Sequence, residues 1–133
     1  MTSTKPQPLV LHERDVADEG WDGIVSWRTL VSADRTPTAA MTIGRAEIAP
    51  GSTTDGALHH HSPHETYYFL TGTGAVHLDG VEYRVEPGSC VFVPGGVWHF
   101  VRNDGVLPLT FIYVFAVDKF SDVEYVFPPQ DSH

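Results

Sequence analysis

The sequence predicts an all-β, antiparallel barrel or sandwich, and three observations carry that reading. From Ile24 onward the apolar residues recur mostly at every second position or in short β-branched and aromatic runs, the pattern of half-buried strands. Gly, Pro or Asp pairs break those runs roughly every eight to twelve residues, the spacing of folds built from strands and turns. No stretch shows the 3.6-residue period of an amphipathic helix.

Taken in order, residues 1–20 hold Lys5, Pro6 and Pro8 and then a mixed-charge stretch without apolar period, which predicts an irregular arm. Residues 21–133 then form a single domain. Expected strands are 24–31, 40–48, 65–70, 75–78, 81–85, 89–93, 99–102 and 109–117. In 40–48, Arg45 and Glu47 share a parity with Met41 and Ile43, so they form either an interface pair or part of a cavity wall. Asp79-Gly80 separates 75–78 from 81–85 as a two-residue hairpin turn does. The register that follows sets Leu78 against Val81, Val76 against Tyr83 and, on a wetter side, His77 against Glu82. Cys90 in 89–93 reads as a small buried thiol. Strand 109–117 is apolar at both parities apart from Thr110 and Tyr113, which predicts cover on both faces.

At 133 residues the chain suits one domain with an ordinary hydrophobic core. Its net charge of −9 repels phosphate backbones and anionic membrane surfaces, so neither nucleic acid nor membrane is an expected partner. A single cysteine excludes an intrachain disulfide. The N-terminus lacks a basic-then-apolar signal, and no apolar run approaches the ~20 residues of a membrane span. A cytoplasmic location is the resulting expectation.

Four of eight histidines fall in Leu58-His59-His60-His61-Ser62-Pro63-His64-Glu65. If 59–61 is extended, His59 and His61 point to one face with Cα atoms roughly 6.6 Å apart, near enough to share an ion at about 2.1 Å from each nitrogen. His60 then faces away. Glu65 can add a carboxylate oxygen, and His99 a third imidazole. The plain alternative is a vestigial site whose polar groups are merely hydrogen-bonded. His60 and His64 suit a solvated or supporting role, and His12, His77 and His133 the surface. Trp98 and Phe100 flank His99 as packing residues. Tyr67, two after Glu65, shares its interior face while Tyr68 points away. A nearby divalent cation would favour the Tyr67 phenolate and make it a usable general base, the alternative being a core tyrosine with a satisfied hydroxyl.

Gly88, Pro94, Gly96, His99 and Asn103 stand in the order Gly-x5-Pro-x-Gly-x2-His-x3-Asn, and His59, His61, Glu65 and Gly72 in His-x-His-x3-Glu-x6-Gly. In both motifs the chain resembles the cupin superfamily, over roughly residues 40–117. One position departs: the glycine that leads the first motif falls on Thr53, with Gly51 two residues earlier. The resemblance implies a double-stranded β-helix, or jelly-roll barrel, of six to eight antiparallel strands. It also implies one divalent transition metal inside, Fe, Mn, Ni or Zn, and a homodimer.

Within the cupins, His59, His61, Glu65, Tyr67 and Gly72 match His-x-His-x3-Glu-x-Tyr-x4-Gly, and Phe120-Ser121-Asp122-Val123-Glu124-Tyr125 looks like the ending of the single-domain dimethylsulfoniopropionate lyases. That resemblance implies Tyr125 as a second tyrosine near the site. It further implies a metal-held carboxylate, a tyrosinate that removes the α-proton and expulsion of a β-leaving group. The expected activity is therefore a metal-dependent lyase or isomerase of a small carboxylate-bearing molecule. An Fe(II)-dependent dioxygenase suits the same ligands. A non-catalytic metal- or ligand-binding module is the third reading.

Overall fold

The computed structural model describes residues 5–129. Nine strands are present: β1 Glu19–Trp21, β2 Val25–Val31, β3 Thr42–Ile48, β4 Glu65–Thr71, β5 Gly74–Leu78, β6 Val81–Val85, β7 Cys90–Val93, β8 His99–Arg102 and β9 Leu109–Phe115. Three short 3-10 turns and no α-helix accompany them among the described residues. All strand pairs are antiparallel, in a six-stranded sheet ordered β1-β2-β3-β9-β4-β7 and a three-stranded sheet ordered β6-β5-β8. The eight expected strands are there with ends shifted by a residue or two.

The arm differs from expectation. Residues 13–15 form a 3-10 turn, and 19–21 pair with β2 as β1, so the irregular stretch stops short of residue 20. A three-residue strand carries too few alternations to be read from apolar period.

The hairpin register is the one the turn chemistry dictates, with Val76 opposite Tyr83, His77 opposite Glu82 and Leu78 opposite Val81. Asp79 and Gly80 both take positive φ, 48° and 84°, as a type I′ turn requires.

On β3 the alternation is strict: Thr42, Ala46 and Ile48 are buried and Arg45 and Glu47 face outward. Arg45 meets Glu13 of the arm (Nε to Oε2, 3.3 Å), which removes the cavity-wall alternative. Strand β9 sends Phe111, Tyr113 and Phe115 inward to a core shared with Phe69, Val76, Val93 and Val101. Its outward Ile112 and Val114 are half-buried in this single chain. Cys90 corrects its expectation. It is exposed, because β7 is the sheet's edge strand and Cys90 stands opposite outward-facing Tyr68. His12 is exposed, whereas His133 lies outside the described residues.

Candidate metal centre and cavity

Two loops bring the histidines together. His59 and His99 form an antiparallel bridge, His99 N donating to His59 O at 2.9 Å. The Pro94-Gly95-Gly96 corner then clamps the other end of the histidine loop. Gly96 N donates to His61 O at 2.8 Å, and Gly95 N to His64 Nδ1 at 2.9 Å. Gly95 is required by closeness, since a Cβ there would stand 2.0 Å from Ser62 O. Asn103, fully buried, donates to Ile48 O and Leu107 O and so anchors the strand that delivers His99.

One coordinating atom from each of His59, His61 and His99 lies within 4.8 Å of the others, a set that could hold a metal ion. Nδ1 of His61 faces Pro63 O at 2.9 Å and Nδ1 of His99 faces Val97 O at 2.8 Å. A carbonyl oxygen can only accept, so both Nδ1 atoms carry hydrogen and both Nε2 atoms turn toward the cluster. Glu65 Oε1 is 3.2 Å from His61 Nε2 and 3.4 Å from His99 Nε2, the latter without hydrogen-bond geometry. Two neutral imidazole nitrogens facing a carboxylate are acceptors facing an acceptor, and a proton or a cation must stand between them. Three inward imidazoles plus a carboxylate therefore fit a divalent transition metal.

Burial alone would push the Glu65 carboxyl up, but His61 and His99 together hold it below the usual carboxylate range. Desolvation works against protonating His61, yet its bond to Glu65 leaves it above the ordinary imidazole value.

Tyr67, buried on the same face of β4, donates to Glu65 Oε1 at 3.0 Å. Burial and the Glu65 charge raise its phenol far above the ordinary value, so without a cation it is neutral. Tyr125 arrives from the C-terminal strap. His60 and Val126 exchange backbone hydrogen bonds (3.0 and 2.8 Å), and this bridge sets the Tyr125 ring 4.7 Å from that of His59. Burial raises its phenol as well.

His60, His64 and His77 make other contacts. His60 packs its ring on Trp98 at 4.4 Å, His64 accepts from Gly95, and His77 stacks on Phe100 at 4.2 Å. None of them belongs to the metal-competent cluster.

A cavity of about 390 Å³ opens beside the cluster. Its wall includes His59, Glu65, Tyr67 and Tyr125, and among the described residues it holds no Lys or Arg. Sequence reasoning missed most of its aromatic lining: Trp21, Trp27, Tyr113, Phe120 and Phe127. Trp27 shares a parity with Val25 and Thr29 and sits opposite small Ala46, a signal available only once β2 and β3 are paired. Trp21 and Phe127 are brought in by the arm and the strap, which have no period to read.

Residues 44–115 match the family model described as cupin domain. Over 105 residues the chain is 36% identical to dimethylsulfoniopropionate lyase DddW of Ruegeria pomeroyi, covering 79% of this chain and 67% of that one. It is 30% identical over 98 residues to an oxalate-binding protein of Thermotoga maritima, covering 74% and 80%. Among solved structures, a predicted oxalate decarboxylase from Thermotoga maritima superposes with a TM-score of 0.70 at 26% identity, over 82% of this chain and 99% of that one. The polyketide cyclase RemF of Streptomyces resistomycificus shares the fold, with a TM-score of 0.74 at 23% identity over 94% and 89%.

Proposed function

The chain belongs to the cupin family, and from that premise we propose that it is a metal-dependent lyase that eliminates a β-substituent from a small carboxylate, dimethylsulfoniopropionate or a close analogue. The observation that carries this reading is the pair of phenols beside the metal-competent cluster: Tyr67 on Glu65 and Tyr125 on His59. His59, His61, Glu65 and His99 would hold the ion. When bound, it would polarise the substrate carboxylate and offset the charge of a neighbouring phenolate.

The chain's own residues supply the rest. The Tyr67 phenolate takes the proton from Cα, the C–H electron pair becomes the Cα=Cβ bond, and the Cβ–S bond breaks with its pair going to sulfur. Dimethyl sulfide leaves neutral, acrylate remains, and Tyr67 ends as the phenol. The Tyr125 ring and hydroxyl confine the substrate against His59. The aromatic wall, without Lys or Arg among the described residues, suits the sulfonium end by cation–π attraction. The outward faces of Tyr68, Phe92, Ile112 and Val114 offer a second copy of the chain an apolar surface, in keeping with a homodimer.

The test is metal-loaded protein incubated with dimethylsulfoniopropionate, with and without oxygen. Dimethyl sulfide and acrylate formed equally in both is the expected result. Oxygen uptake with an oxidised product in place of dimethyl sulfide and acrylate would favour the Fe(II) dioxygenase reading instead.

A further inference from the structure

Three buried side-chain polar atoms lack a hydrogen-bond partner among the described residues: His99 Nε2, Arg102 Nε and Tyr113 Oη. His99 Nε2 faces the metal-competent cluster, and Arg102 sits in a surface ion-pair network with Glu82 and Asp104. Tyr113 has no such account. It is 5% exposed and lines the cavity.

The fold makes room for this phenol at a cost. Tyr113 on β9 stands between Tyr67 on β4 and Gly44 on β3 in one cross-sheet row, and its ring lies over Gly44. A Cβ at Gly44 would be 2.1 Å from Tyr113 Oη, so any other residue there would displace the phenol from its place. Glycine inside a strand and an unpaired buried hydroxyl each reduce stability. Thr29, the next residue along the row, forms no hydrogen bond with the phenol; its own hydroxyl donates toward Glu19 Oε2 at 3.5 Å. Of the other hydroxyls on the wall, Tyr67 donates to Glu65 and Thr54 to Val101 O.

We infer that Tyr113 is a third phenol of the site, a substrate-binding residue whose O–H donates to a carboxylate oxygen of the substrate. This rests on the reading of the substrate as a small carboxylate, not on the elimination itself. Burial raises the Tyr113 phenol to about 12 despite the nearby Thr29 hydroxyl, so it remains a donor at neutral pH. In a wall without Lys or Arg among the described residues, such a donor gives an anion a fixed orientation that an apolar surface cannot.

The test compares wild type and Tyr113→Phe, both metal-loaded, by calorimetric titration with acrylate and with propionate and by thermal melting without ligand. The variant should bind both anions at least about tenfold more weakly, as loss of a hydrogen bond to a charged group implies. Its ligand-free melting temperature should be unchanged or higher, since the hydroxyl has no partner to lose. Unchanged anion affinity overturns the inference, as does failure of the wild type to bind either anion. A melt lowered by several degrees also overturns it, assigning the hydroxyl to a structural bond with Thr29. If the wild type does not cleave dimethylsulfoniopropionate but Tyr113→Phe still weakens acrylate, the lyase reading fails and this one stands.

Discussion

The Tyr67 hydroxyl donates to Glu65 Oε1, the same oxygen that lies within 3.4 Å of both His61 Nε2 and His99 Nε2. One carboxylate oxygen thus joins the proposed base to the proposed metal ligands, while Tyr68, the next residue, is on the opposite face of the strand and 47% exposed. Tyr67→Phe removes one hydroxyl and no ring packing against Phe111. It should retain metal, by elemental analysis, while dimethyl sulfide release falls roughly 10²- to 10⁴-fold, the usual worth of a positioned base. Tyr68→Phe should change neither. Full turnover by Tyr67→Phe would leave Tyr125 as the tyrosine to nominate.

The metal set gives a sharper contrast, because neighbours in sequence differ in direction. His59→Ala, His61→Ala and His99→Ala should each lower bound metal strongly, since their coordinating atoms converge within 4.8 Å. His60→Ala and His77→Ala should stay near wild type, because those rings rest on Trp98 and Phe100. Dialysis against a chelator should abolish turnover, and added divalent metal should restore it. Equal metal loss in all five variants would refute the assignment.

Gly95 allows a test that touches no ligand. A Cβ at this position would meet Ser62 O at 2.0 Å, so Gly95→Ala must push the 61–64 segment off the corner and tilt His61. Metal affinity should fall by about 10- to 100-fold, the effect typical of groups that orient ligands. Metal titration of the variant against wild type measures it, and unchanged affinity would show that the clamp does not set the His61 geometry.

Much of this was legible before the fold. The turn residues Asp79 and Gly80 specify one register, and parity separates His59 and His61 from His60, because both depend on neighbours within a few residues of sequence. Local pattern could not show that Cys90 lies on an edge strand, or that Arg45 meets the arm at Glu13; each depends on which strand or segment comes to lie alongside. Tyr113 is the clearest case. Its place in the cavity depends on Gly44, nearly seventy positions away in sequence and directly opposite in the sheet, so nothing around either residue announces it.

The C-terminal strap is held over the site by the bridge in which His60 N donates to Val126 O and Val126 N to His60 O. That bridge fixes Tyr125 on one side of the His59 ring, while the imidazole of His60 points the other way to Trp98. Val126→Pro deletes the Val126 donor and one of the two bonds, a loss of about 1 kcal/mol. The core strands are untouched, so metal content should be retained and the melting temperature should drop by only a few degrees. Turnover should fall much further than stability, because the phenol at His59 is no longer held in place. A variant with wild-type turnover would show that Tyr125 reaches His59 through its ring contact with Phe120 rather than through the bridge.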